Sequence, residues 1–290
     1  MELKNINKEK ISDFIRTSPI LFSMAFTLLA VLVTAAFSHL NSLLLPQNTW
    51  GGILEEVVSI LWPVALAVIF GFGFIFRQRG VRATFGAALF IFLFYGFLLF
   101  FQVEAKISNP ATEWKSELEI FQGILLLLGI GIREEVLYRG VITNAIARKY
   151  GSTTKGLWIT ALSSGAMFGA MHLSNVFYGV SFAGALTQAI GCIAGGVLYC
   201  AIYLRGGSLW VVALVHSLKD TPALLEMYFT NFAKSATGAE VDMMSSYRPS
   251  LTMVIFFVVE LLLAAFLLRK SKRQKIFDRI EKMNSELAEF

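Results

Sequence analysis

The chain has 290 residues, 56% of them hydrophobic and only 16% charged, with a formal net charge of +5. A soluble domain carries about 25% charged residues, so this composition excludes one and points to an integral membrane protein. The net charge does not mark a nucleic-acid binder, because the basic residues lie beside apolar runs, where they set topology.

Residues 1–18 read as a charged amphipathic lead carrying Lys4, Lys8, Lys10 and Arg16. The first apolar run, Pro19 to about Leu45, is too long for the core of an ordinary signal peptide and is expected to remain as span one. A loop with Pro46, Gly51, Gly52, Glu55 and Glu56 leads to span two, about Val57 to Phe76, and span three covers about Ala83 to Val103. After a mostly acidic loop with the turn signal Asn109-Pro110, span four runs from Ile120 to Ala147. Spans five, six and seven are read at Gly156–Tyr178, Ser181–Leu204 and Ser208–Tyr228. A polar loop, Thr230 to Ser250, precedes span eight at Leu251–Leu268, and residues 269–290 form a basic tail with a short helix from Ile276. The expected fold is therefore all-α: a polytopic domain over 19–268 with about eight transmembrane helices around a polar intramembrane cavity, its motif-bearing core at about 120–228.

The basic residues test this layout. With the N-terminus in the cytoplasm, 18 Lys and Arg fall on the cytoplasmic side and 4 (Lys106, Lys115, Lys234, Arg248) on the other, while Arg133, Arg139 and Lys219 lie within spans. The positive-inside rule then places both termini in the cytoplasm, and a bacterial or archaeal plasma membrane is the expected location. Cys192 and Cys200 are separated by roughly 12 Å along one helix, too far to pair. Gly191-x-x-x-Gly195 in span six reads as close helix packing.

Span four contains Arg133-Glu134-Glu135-Val136-Leu137-Tyr138-Arg139, a charge cluster in a stretch otherwise built for lipid. Each charge at that depth costs several kcal/mol, about 3 on insertion scales, so the cluster needs a function. Glu135 and Arg139 share a helix face and can pair, while Glu134 is turned roughly 100° away with its chemistry available. At 1.5 Å per residue, Glu134 lies roughly 21 Å from its cytoplasmic helix end, His172 roughly 21 to 25 Å and His216 roughly 15 Å, so the three can meet. Asn175 follows His172 by three residues and Asp220 follows His216 by four, each on its histidine's face. Asp220 is read as part of the site; Asn175 either joins it or only satisfies buried polarity. The set suits hydrolysis, with Glu134 as general base toward water and the imidazoles orienting water or donating to an oxyanion. Glu134, His172 and His216 also match the donor types of a catalytic zinc shell, although the usual His-Glu-x-x-His helix is absent. The favoured expectation is no cofactor, with zinc as the alternative.

Glu134-Glu135-x-x-x-Arg139, Phe168-x-x-x-His172 and His216-x-x-x-Asp220, in this order on three membrane helices, resemble the CAAX protease and bacteriocin-processing (Abi) family, which includes type II CAAX prenyl endopeptidases. The resemblance spans about Leu125 to Leu225. It implies an eight-helix intramembrane endopeptidase with a conical cavity opening toward the cytoplasm and the bilayer. It also implies that Glu134 activates water, that His172 and His216 support the water and the transition state, and that position 220 helps form the oxyanion site. The prenyl-processing members carry Asn at that last position, where this chain has Asp220. Glu135, Arg139 and Phe168 are supporting residues of the motifs. The expected partners are the bilayer and a membrane-associated protein or peptide substrate, prenylated or a precursor. A non-catalytic regulator or immunity protein on the same fold is the main alternative. A proton-coupled transporter is disfavoured by the lack of a repeat with paired broken helices.

Overall fold

A computed structural model describes residues 2–46, 48–77, 79–231 and 249–288. Most of the polar loop read at 230–250, with Lys234 and Arg248, lies outside the described residues. The described chain is helical: α1 Glu2–Thr17, α2 Pro19–Leu44, α3 Thr49–Ile69, α4 Val81–Ser108, α5 Glu117–Glu135, α6 Asn144–Tyr150, α7 Thr154–Met171, α8 Phe182–Gly206, α9 Leu209–Phe229, α10 Leu251–Leu267 and α11 Arg273–Ala288. Short polar residues start these helices by accepting a backbone N–H: Asn48 for α3, Thr153 for α7, Ser181 for α8, Ser208 for α9 and Ser250 for α10. Ser116 and Glu119 close a reciprocal capping box on α5.

Among the described residues, four helices are long and apolar enough to cross a membrane: Pro19–Leu44, Thr49–Ile69, Val81–Ser108 and Phe182–Gly206. The pair Leu251–Leu267 and Lys270–Ser285, bent by 52°, adds a fifth if counted as one span. The protein is thus an all-α polytopic membrane protein. The layout of about eight spans is not reached on length and apolarity alone. The physical reason is local: α5 and α9 are diluted by Arg133, Glu134, Glu135, Lys219 and Asp220, and α7 by Thr, Ser and Gly.

Three boundaries differ from expectation. Span two begins at Thr49, because the Asn48 side chain accepts from Gly51 N–H and winds the Gly51-Gly52 stretch into the first turn; Glu55 and Glu56 therefore sit on a helix. Span five stops at Met171, and His172–Tyr178 form a 3₁₀ segment. The tail helix starts at Arg273 and is not merely a solvated face: Ile276 and Ile280 are buried, and the helix packs on α6 and α8.

Helix α8 is the centre of the bundle, packed against α7, α10 and α4, with further contacts to α9 and α11. Its buried small residues permit this. A Cβ on Gly196 would lie 2.8 Å from the Cα of Gly165 on α7, backbone against backbone. The outer faces of α2, α4 and α10 expose Leu28, Leu32, Phe90, Phe97 and Leu262, the surface that lipid covers.

The two ends of the bundle carry different charge. At one end, Lys149 donates to the Thr17 carbonyl, Arg273 to Thr154, and Arg279 to the Leu204 carbonyl. This gathers α1, the ends of α6 and α8, and the basic tail. At the other end, Lys106 pairs with Glu226, Lys115 donates to the Met227 carbonyl, and Trp114 bridges to Thr230.

Candidate active site

The charge cluster sits where α5 changes its winding. From Val136 to Thr143 the helix widens to a π-helix before resuming as α6. Such widening is frequent at functional sites and re-aims side chains that a regular helix would stack. Glu135 ends the regular turn, and Arg139 reaches back to it at 2.9 Å, with both side chains fully buried. The second Arg139 nitrogen donates to the Gly196 carbonyl at 3.0 Å, and the guanidinium lies over the Phe168 ring at 4.6 Å. The expected pairing is present, and it ties α5 to α7 and α8.

Glu135 does more than pair with Arg139. The same Oε1 faces His216 Nδ1 at 2.7 Å. A carboxylate only accepts, so Nδ1 is the donor and Nε2 is the nitrogen turned toward Glu134 and Asp220. Glu134 Oε2 stands 3.6 Å from Nε2 and Asp220 Oδ2 stands 3.4 Å from it. Adjacent carboxylates of α5 therefore flank one imidazole at both of its nitrogens. Sequence spacing on α5 alone does not reveal this, because it depends on how α9 is seated.

That seating depends on Gly131. A Cβ there would lie 2.3 Å from Ser217 Oγ and 2.6 Å from the Ala213 carbonyl oxygen of α9. Gly131→Ala is therefore expected to force α5 and α9 apart, costing about 1–3 kcal/mol and weakening the Glu135–His216 contact. Thermal unfolding in detergent, with and without the substitution, checks this; an unchanged midpoint would count against the close approach.

His172 stands at the C-terminal end of α7, its Nδ1 2.9 Å from the Phe168 carbonyl. The Phe168 ring meets His172 edge-on at 5.1 Å and His216 at 5.6 Å, so one aromatic spaces both imidazoles. Glu134, Phe168, His172, Asn175, His216 and Asp220 line a single cavity of about 840 Å³. Asn175 is not His172's companion: its side chain donates to Gln188 at 2.7 Å. The 3₁₀ winding after Met171 removes the helical spacing on which that expectation stood.

Two further charge pairs border the cavity. Arg133 bonds Glu56 at 3.2 Å and also Ser59, joining α5 to α3. Lys219 pairs with Glu260, joining α9 to α10, and the space for the Lys219 ammonium is left by Gly195. Gly195 thus makes room for a side chain where helix-to-helix packing was expected. Placing Glu56 in a loop concealed the first pair. For the second pair the available signal was Glu260, the one charged residue in the apolar run Leu251–Leu267.

The zinc alternative needs a converging donor set. Among the described residues no group of three or more His, Cys, Asp or Glu side chains is arranged to hold a metal ion.

The cavity lining extends toward the end of the bundle away from the basic tail. Its exposed lining residues include Gln102, Tyr178, Met227 and Thr252, near the outer ends of α4, the His172–Tyr178 segment, α9 and α10. No lining residue comes from the basic end.

Residues 116–221 match the family model described as type II CAAX prenyl endopeptidase Rce1-like. The match contains the whole Glu134-to-Asp220 constellation, so the family likeness read from the motifs holds across the site-bearing helices, in a family of endopeptidases. No curated protein and no solved structure matches the chain.

Proposed function

We propose that the chain is an intramembrane endopeptidase, built on eight spans with both termini in the cytoplasm, that cleaves a membrane-associated peptide with water activated by Glu134. The observation that carries this reading is the meeting of residues from α5, α7 and α9 on one cavity, with Glu134 3.6 Å from His216 Nε2. Glu134 is the carboxylate of the cluster left facing that cavity, while Glu135 is spent on Arg139 and His216. It takes a proton from water, the water oxygen bonds to the scissile carbonyl carbon, and the proton passes to the departing amine as the C–N bond breaks. His216 is held by Glu135 at Nδ1, so Nε2 stays beside the water and the oxyanion. His172, anchored to the Phe168 carbonyl, supplies a second imidazole to the same space.

Asp220 differs from the family's Asn, and its distance of 3.4 Å to His216 Nε2 supports a positioning role for it. With Nδ1–H given to Glu135, an Asp220 carboxylate can accept from Nε2–H only when the imidazole carries both protons, and in that form it orients the ring; a carboxylate does not donate to an oxyanion. The reaction is read as metal-free.

Comparing membrane proteomes of cells carrying wild-type protein and Glu134→Gln tests the reading. Uncleaved precursors are expected to accumulate in the variant. Identical proteomes and an identical phenotype would favour a binding role on the same fold.

A further inference from the structure

We infer that the basic end of the bundle holds a binding site for a phosphate-bearing anion, and that its ligand is the headgroup of an anionic phospholipid. The site is separate from the Glu134 cavity, and the inference does not depend on the endopeptidase reading.

A second cavity, of about 570 Å³, lies between the Phe74–Gly80 segment, the turn after α8 and the tail helix α11. Its charge is almost all of one sign. Arg77, Arg79, Lys275, Arg279 and Lys282 line it, and among the described lining residues only Asp278 opposes them. Asp278 accepts from Gln274 on its own helix. Like charges gathered around one hollow repel one another and focus a positive field on it, so an anion placed there is stabilising. These cations come from two stretches far apart in sequence, and only the fold brings them to one cavity.

The wall is built by close backbone packing. Gly80 has φ +61° and Gly207 has φ +91°, left-handed values that favour glycine. A Cβ on Gly80 would lie 1.8 Å from the Gly206 carbonyl oxygen, and one on Gly207 would lie 2.9 Å from Arg279 Nε. The Arg279 guanidinium is thereby laid against the turn, where Nη1 donates to the Leu204 carbonyl at 3.0 Å. Among the described residues it makes no other hydrogen bond and no salt bridge. Its remaining N–H donors form a planar fork that matches two oxygens of a phosphate.

The rest of the wall includes Phe74, Ile75 and Met283. A free phosphate makes no use of such a surface. A phospholipid presents its phosphate together with the apolar carbons that follow it, at the level where membrane helices end, and basic pockets at that level take anionic headgroups.

The test follows thermal unfolding of the full chain in a neutral detergent during addition of phosphatidylglycerol, phosphatidylcholine or inorganic phosphate. Phosphatidylglycerol is expected to raise the midpoint and phosphatidylcholine to leave it unchanged, because a ligand that binds the folded state shifts it. In Arg77→Gln/Lys282→Gln, which removes two exposed cations of the cavity, the concentration giving half the shift should rise about 10-fold or more. Lys270→Gln/Lys272→Gln removes two basic residues outside the cavity lining and should respond as the wild type does. Arg279→Lys keeps the charge without the fork and should also weaken the response, which preserves the test if the first double variant does not fold. Absence of any shift overturns the site. Equal weakening in the two double variants overturns it as well, since that marks attraction to basic surface in general. A shift produced equally by inorganic phosphate overturns the lipid as ligand in favour of the free anion.

Discussion

Glu134→Gln is expected to lower kcat on a membrane-tethered peptide by about 10²–10⁴-fold, the range that a positioned general base contributes. Gln keeps the volume and can still bond water, but it cannot take the proton, so the effect should fall on kcat with KM nearly unchanged. Glu134 is partly exposed to the cavity, at 19%, and its 3.6 Å contact with His216 is longer than the 2.7 Å contact that Glu135 makes. Folding should accordingly be retained, as measured by the unfolding midpoint in detergent. Glu135→Gln is the informative contrast. It weakens the hold on His216 and on Arg139 together, so both activity and stability should fall. A Glu134→Gln protein that turns over at the wild-type rate would remove Glu134 from the chemistry altogether.

Arg139→Ala is expected to destabilise the fold by about 3–5 kcal/mol, the cost of leaving a buried charge without its partner. Both Arg139 and Glu135 are fully buried, so water cannot replace the lost guanidinium. The same substitution strips the Gly196 carbonyl of its donor and removes the cation beneath Phe168. Arg139→Lys should recover part of the loss, since an ammonium keeps the charge but cannot reach Glu135 and Gly196 as a planar fork. Chemical or thermal unfolding in a fixed detergent measures both variants; a cost below about 1 kcal/mol, the level of an exposed pair, would contradict the structural role of the pair. Because Glu135 also bonds His216, the loss of Arg139 should reduce activity even where the folded fraction is corrected for.

The charged residues of span four were legible as a site because hydrophobic context makes them expensive, and charge count and spacing carry that information directly. Glu134, His172, His216 and Asp220 were named on such grounds, and all four line one cavity. Asn175 lines the same cavity, but its side chain bonds Gln188 and not His172, because the backbone leaves the α-helical winding at His172. Glu56 was hidden for a related reason: two glycines read as a loop, yet the Asn48 cap carries the helix through them. The π-helical widening over Val136–Thr143 has no signal in the apolar spacing of span four.

The sequence by itself determined that this chain lives in a membrane, which residues are too costly there to be idle, and which loops gather the positive charge. Each is a local transfer energy, summed along the chain and independent of where the helices finally sit. Only the tertiary structure decided that Glu135 serves His216 as well as Arg139, that Lys219 finds Glu260 and Arg133 finds Glu56, and that Glu134, His172, His216 and Asp220 line one cavity. Those are distances between helices far apart in sequence, set by close packing at Gly131 and Gly196, and close packing depends on every facing side chain at once.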